Sequence, residues 1–99
     1  MFTGPLARAA RALIELTREQ VGRHCGLDPE AIRLFEQQLA GLDPAEQARL
    51  KASLEAGGAF FIPENGGGAG VRLKFNRSET KRLSILENEG GIAADDDVP

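Results

Sequence analysis

Little in this chain is equipped for covalent chemistry. It has one cysteine, Cys25, and one histidine, His24. A single cysteine excludes an internal disulfide, and without a Cys/His cluster at ligand spacing there is nothing to build a zinc site from. His24 and Cys25 are neighbours, but no third group is suggested that would complete a nucleophilic site. The glycine-rich run 66–70 lacks the Gly-Lys-Ser/Thr ending and following helix of a phosphate-binding loop, and reads as a flexible hairpin tip. No apolar stretch approaches the roughly 20 residues a membrane span needs, and no basic region followed by an apolar run opens the chain. The expectation is a soluble cytoplasmic protein that is not an enzyme, with no cofactor, no metal and no membrane partner.

At 99 residues the chain has room for one small domain, which buries only about 60–65% of its unfolded surface. The net charge of −3 hides an uneven distribution. Residues 1–26 carry Arg8, Arg11, Arg18 and Arg23 against Glu15 and Glu19, whereas 27–64 are acidic in balance. Residues 72–82 are basic again, and the end of the chain is acidic. Two basic patches therefore flank an acidic middle, a modest electrostatic footprint for phosphate.

Helix punctuation dominates the first half. Gly4-Pro5 marks the start of a first helix, whose apolar face is expected from Leu6, Ala9, Ala10, Leu13 and Ile14, with Arg8, Arg11 and Glu15 in solvent. Thr17 caps a second helix that Gly26 ends in the left-handed conformation, and Leu27 turns back into the core. Gly22, beside the apolar Val21, lets another backbone approach closely. Asp28 caps a third helix with Pro29 at its first position, and Ile32, Phe35 and Leu39 should face the core. Asp43, Pro44 and Glu46 open a fourth, which contributes Leu50 and Leu54 and stops at Gly57-Gly58. The pattern then changes period: 59–62 reads as a strand, and 71–75 alternates apolar and basic residues. A lone hairpin is marginal in water, so its apolar face needs cover, and a second subunit is the favoured source. That makes Phe60, Phe61, Ile62, Val71, Leu73 and Phe75 the candidate dimer interface. Asn76 caps a possible last helix to Asn88, and Asp95, Asp96 and Asp97 read as a solvated, disordered tail. The expected division is 1–57, a helical domain; 58–76, a dimerisation hairpin; and 77–99, a short helix with the acidic tail.

Two short helices around a tight glycine-centred turn, over 17–36, have the layout of a helix-turn-helix unit. The run from Leu6-Ala7-Arg8 through Leu13, Thr17-Arg18-Glu19-Gln20-Val21, Cys25-Gly26-Leu27-Asp28 and Ile32 to Glu36 resembles the Xre/Cro-CI-type helix-turn-helix regulators. The likeness extends through Leu54-Glu55-Ala56-Gly57-Gly58 and Phe61-Ile62-Pro63-Glu64-Asn65-Gly66-Gly67-Gly68, which looks like the end of a subset of small bacterial regulators. It covers about 5–75 and implies a mainly α fold: a lambda-repressor-like bundle of four to five helices with a C-terminal β-hairpin at a dimer interface. It further implies a sequence-specific transcription regulator, usually a repressor, acting as a homodimer on palindromic double-stranded DNA. The candidate DNA contacts are Thr17, Arg18, Arg23, Asp28, Glu30 and Arg33. Arg72 and Lys74 either grip the backbone beside the third helix or keep a sheet edge soluble.

The family pattern departs at two places. It commonly has Gln, a phosphate contact, where this chain has Arg18, and Ser or Thr followed by polar or basic residues where this chain has Asp28, Pro29 and Glu30. Asp28 and Glu30 suit a helix cap and first turn, while a carboxylate reading a base would accept from the cytosine amino group. The acidic middle and tail suit a different class better: a helix-turn-helix-fold interaction module, antitoxin-like or anti-activator, docking on a second regulatory protein with weak or no DNA binding.

Overall fold

Thr3, Thr17, Asp28 and Asp43 each stand one residue before a helix, in extended backbone, with a side-chain oxygen accepting a backbone N–H of the first turn. These caps divide the chain into α1 (Gly4–Ile14), α2 (Arg18–Cys25), α3 (Pro29–Glu36) and α4 (Pro44–Ala56), followed by β1 (Ala59–Ile62) and β2 (Gly70–Leu73). The computed structural model describes residues 1–74. The expected last helix, the acidic tail and Phe75 lie outside the described residues. At α2 and α4 the cap is reciprocal: Gln20 and Glu46 each reach back to the N–H of the capping residue, which satisfies a second free donor. The protein is mainly helical, with a small antiparallel hairpin. No described helix is long and apolar enough to cross a membrane.

The core is built from Ala7, Ala10 and Ile14 of α1, Val21 and Cys25 of α2, Leu27 of the turn, Ile32 and Phe35 of α3, Leu50 and Leu54 of α4, and Ala59 of β1. The inward face of α1 differs from the expected one. Gly4, Ala7, Ala10 and Ile14 are buried, whereas Ala9 is exposed, Leu13 is 39% exposed and Leu6 is half-buried. Small residues win this face because α1 lies close to its neighbours. A Cβ on Gly4 would sit 2.0 Å from the carbonyl oxygen of Phe35. Leu39 is the second departure, 66% exposed rather than in the core. Helix α3 ends at Glu36, and Gln38 takes a left-handed φ of 59°, so the helical spacing that pointed Leu39 inward is broken.

The turn between α2 and α3 follows from two glycines. Gly26 has φ 78°, which only glycine adopts without cost, and its N–H and that of Leu27 both donate to the Gly22 carbonyl. A Cβ on Gly22 would meet the Leu27 carbonyl oxygen at 2.5 Å, so the returning chain requires a glycine there.

The hairpin pairs Ala59 with Leu73, Phe60 with Arg72, Phe61 with Val71 and Ile62 with Gly70. Strand alternation sends Ala59, Phe61, Val71 and Leu73 to one face, and these pack on the helical core. The hairpin's main helical neighbours are α1 and α4. Phe2 joins this layer to α3, its ring 5.4 Å from that of Phe61 and 5.7 Å from that of Phe35. Cover for the apolar hairpin face, expected from a second subunit, is thus supplied within the chain for Phe61, Val71 and Leu73. Phe60 and Ile62, each 39% exposed, occupy the outward face.

Candidate nucleic-acid interface

Helices α2 and α3, of eight residues each, pack on one another across the turn 26–28. Their apolar residues face the core, which leaves Glu19, Gln20, Arg23 and His24 of α2 exposed, with Glu30 and, just past the end of α3, Gln37. Arg33 and Leu34 are half-buried on the outer part of α3.

Of the candidate contacts, Thr17 is engaged as the cap of α2, its hydroxyl oxygen 3.1 Å from the Gln20 N–H. Asp28 does the same for α3, accepting from the Glu30 N–H at 2.9 Å. A carboxylate at this end of a helix is also favoured by the helix dipole. Arg23 is exposed and makes no ion pair among the described residues.

Arg18 is held by a residue that sequence reasoning missed. Glu36, at the end of α3, is only 2% exposed. Its carboxylate accepts from Arg11 Nε at 2.7 Å, from Arg11 Nη2 at 3.0 Å and from Arg18 Nε at 3.0 Å. Arg11 also donates through Nη1 to the Leu16 carbonyl at 3.2 Å. The hydrogen bonds it donates to Glu36, opposed by partial burial, push the Arg11 guanidinium above its ordinary range. Arg11, expected in solvent on the outer face of α1, therefore ties α1 to the Leu16 carbonyl before α2 and to the end of α3. The signal was present: Glu36 follows Ile32 by four residues, so a charged side chain falls on the core stripe of α3. A charge at such a position needs a partner.

Arg33 is bound on both sides. It donates through Nε to Glu30 Oε1 at 2.9 Å and through Nη2 to the other carboxylate oxygen of Glu30, while Nη1 donates to Gln37 Oε1 at 3.1 Å. The Glu30 carboxyl is held below its usual range, first by these hydrogen bonds and then by the charges of Arg33 and Arg18. Glu30, Arg33 and Gln37 thus form one polar stripe along α3.

Arg72 belongs to the outward face of the hairpin. Its guanidinium carbon lies 4.4 Å from the Phe60 ring centroid, and Nη1 donates to the Leu73 carbonyl at 3.0 Å. The hairpin that carries Arg72 packs chiefly on α1 and α4 rather than on α2 and α3. No family model matches the chain, and no curated protein matches it significantly.

Proposed function

We propose that this protein is a lambda-repressor-like helix-turn-helix regulator of transcription, a repressor acting as a homodimer on palindromic DNA in the cytoplasm. The α2–α3 pair carries this reading. Two short helices, locked by close approach at Gly22 and a left-handed Gly26, turn a polar stripe of α3 to solvent, the arrangement by which a second helix enters a major groove. Arg18 stands at the first position of α2, where resemblance assigns a phosphate contact. Nε is the only one of its nitrogens engaged by Glu36, which leaves two nitrogens of a fixed fork to donate outward. Arg23 supplies a second cation on the same helix. The exposed Phe60 and Ile62 are the hairpin residues offered to a second copy, and half-sites are then about 34 Å apart.

The test is fluorescence anisotropy with mixed duplex DNA as salt is raised from about 50 to 200 mM. Affinity should fall along a log–log line with a slope of about −0.9 per neutralised phosphate, and Arg18→Ala and Arg23→Ala should each make it shallower by about one phosphate. No binding at the low-salt end refutes the reading.

One observation favours a second reading, the interaction module. Asp28 and Glu30 put two carboxylates at the start of α3, while the only arginine on its outer stripe is neutralised by Glu30. A protein surface bearing lysines or arginines would fit this stripe. Absence of DNA binding, together with a partner complex disrupted by charge reversal at Asp28 and Glu30, selects it.

A further inference from the structure

We propose that Glu30 and Arg33 act as one unit that reads a C·G base pair, Glu30 accepting from the cytosine amino group and Arg33 donating to guanine O6 and N7. This rests on the DNA-binding reading above and names the sequence feature that the α3 stripe would select.

The geometry begins with spacing. Glu30 is in the first turn of α3, and Arg33 lies three residues on, on the same face. The first turns are the part of a recognition helix that meets base edges. The two side chains lie side by side, parallel and bidentate, at 57% and 37% exposure. An exposed pair of this kind is weakly held, so a ligand that satisfies both members can replace their mutual contact.

Few ligands do so. A carboxylate only accepts and a guanidinium only donates. The ligand must therefore offer a donor next to a pair of acceptors. In the major groove a C·G pair presents the cytosine N4 amino group beside guanine O6 and N7. A T·A pair read in the same orientation sets the thymine O4 acceptor and its methyl group against the carboxylate, which repels the first and gains nothing from the second. Phosphate is a poor alternative for Arg33, because Glu30 travels with it and repels the same oxygens. Gln37 holds the third nitrogen of the guanidinium from the opposite side, so the fork stays aligned along the helix when Glu30 turns to a base.

The pair also explains the acidic start of α3 without removing DNA contact. A helix carrying unpaired arginines attracts any phosphate backbone, whereas in a self-neutralised Glu–Arg pair the carboxylate offsets that attraction, and a ligand gains from both members only if it offers a donor beside a pair of acceptors.

Selection from randomised duplexes with the full chain, alongside Glu30→Gln and Arg33→Ala, tests the proposal. Sites recovered by the unchanged protein should fix one C·G pair in each half-site, and replacing it by T·A should weaken binding roughly ten- to hundredfold. Glu30→Gln should reduce the discrimination against T·A at that single position, because a neutral amide can donate to thymine O4 where the carboxylate repels it, with the rest of the site unchanged. Arg33→Ala should lose the preference at the same pair. Recovery of the same site with undiminished discrimination by Glu30→Gln overturns the proposal. So does an Arg33→Ala protein that loses affinity equally for all sites with a salt slope shallower by one phosphate, since Arg33 then contacts the backbone. Failure to recover any site with the unchanged protein overturns the DNA-binding reading itself, a distinct result.

Discussion

Glu36→Gln removes one charge from the most crowded polar site in the protein, and its cost can be worked out. The Glu36 side chain is 1% exposed, while those of Arg11 and Arg18 are 19% and 30% exposed. Three charge-assisted hydrogen bonds are lost or weakened, each worth about 1.5–3 kcal/mol by itself. Their sum overstates the effect, because burying the carboxylate already cost several kcal/mol of desolvation. Removing one partner of a fully buried pair typically costs about 3–5 kcal/mol. Here both arginines keep a path to water, which lowers the expectation to about 2–3 kcal/mol. A domain of this size starts from a stability of about 5 kcal/mol. With a urea m-value of about 1.2 kcal/mol/M, the unfolding midpoint should fall by about 2 M at unchanged m. The three donors come from α1 and α2 and meet at the end of α3, so on the DNA-binding reading proposed above DNA affinity should fall with stability. Arg11→Met combined with Glu36→Met should recover most of the loss, since an apolar pair substitutes well for a buried ionic one. A midpoint shift corresponding to less than about 0.5 kcal/mol would refute the reasoning, for the arginines would then be held by something other than this carboxylate.

Three further outcomes are expected. Gly4→Ala should destabilise by about 1–2 kcal/mol in chemical denaturation: helix propensity favours alanine by up to about 1 kcal/mol, but a Cβ 2.0 Å from the Phe35 carbonyl oxygen brings an overpacking cost of about 1–3 kcal/mol. Gly41→Ala, with nothing within 4 Å of its Cβ, is the control and should be neutral or slightly stabilising. Glu15→Gly should raise stability by about 0.5–1 kcal/mol, seen as a higher melting temperature, because Glu15 ends α1 at a left-handed φ of 58° that glycine adopts freely. The Glu30 carboxyl, followed by NMR, should titrate below its ordinary 4.5 and return toward it in Arg33→Ala. Since folding lowers this acid's pKa, its contribution to stability is complete above 4.5 and is lost as pH falls through the folded value.

Helix boundaries were legible because each rests on local chemistry. Thr17, Asp28 and Asp43 announce helix starts without reference to anything distant, and Gly26 announces an end. The strands were legible by the change of period after Gly58. What misled were residues whose fate depends on neighbours far along the chain. Apolar bulk suggested Leu6 and Leu13 as the buried face of α1, but the close packing of Gly4 against α3 rotates the small residues inward. Leu39 continued a helical pattern that the backbone abandons at Gln38. Arg11 looked like a surface charge because its partner, Glu36, is 25 residues away. The hairpin seemed to need a second subunit because the N-terminal Phe2, which backs Phe61, carries no pattern of its own.

The same pairings bear on how the α2–α3 surface would handle DNA. Read from sequence, Arg18, Arg23 and Arg33 are the cations offered to DNA by the helices, with Arg11 in solvent on α1. In the fold, Arg11 and Arg18 share the single charge of Glu36, and Arg33 is matched by Glu30. The net attraction available to an arbitrary phosphate backbone is therefore smaller than the arginine count suggests: the Glu36 cluster and Arg23 each leave about one positive charge, set against the carboxylates of Glu19 and Asp28. Non-specific affinity rests almost wholly on such phosphate contacts. What matters to a regulator in a genome is the ratio of specific to non-specific binding rather than affinity alone. Pairing arginines with carboxylates lowers the non-specific term of that ratio, while a base pair that satisfies both Glu30 and Arg33 preserves the specific one. On this argument Glu30→Ala, which frees Arg33, should bind mixed duplex more tightly, with a log–log salt slope steeper by about 0.9, and discriminate less between sites. A variant that gains no non-specific affinity would show that Glu30 does not restrain Arg33.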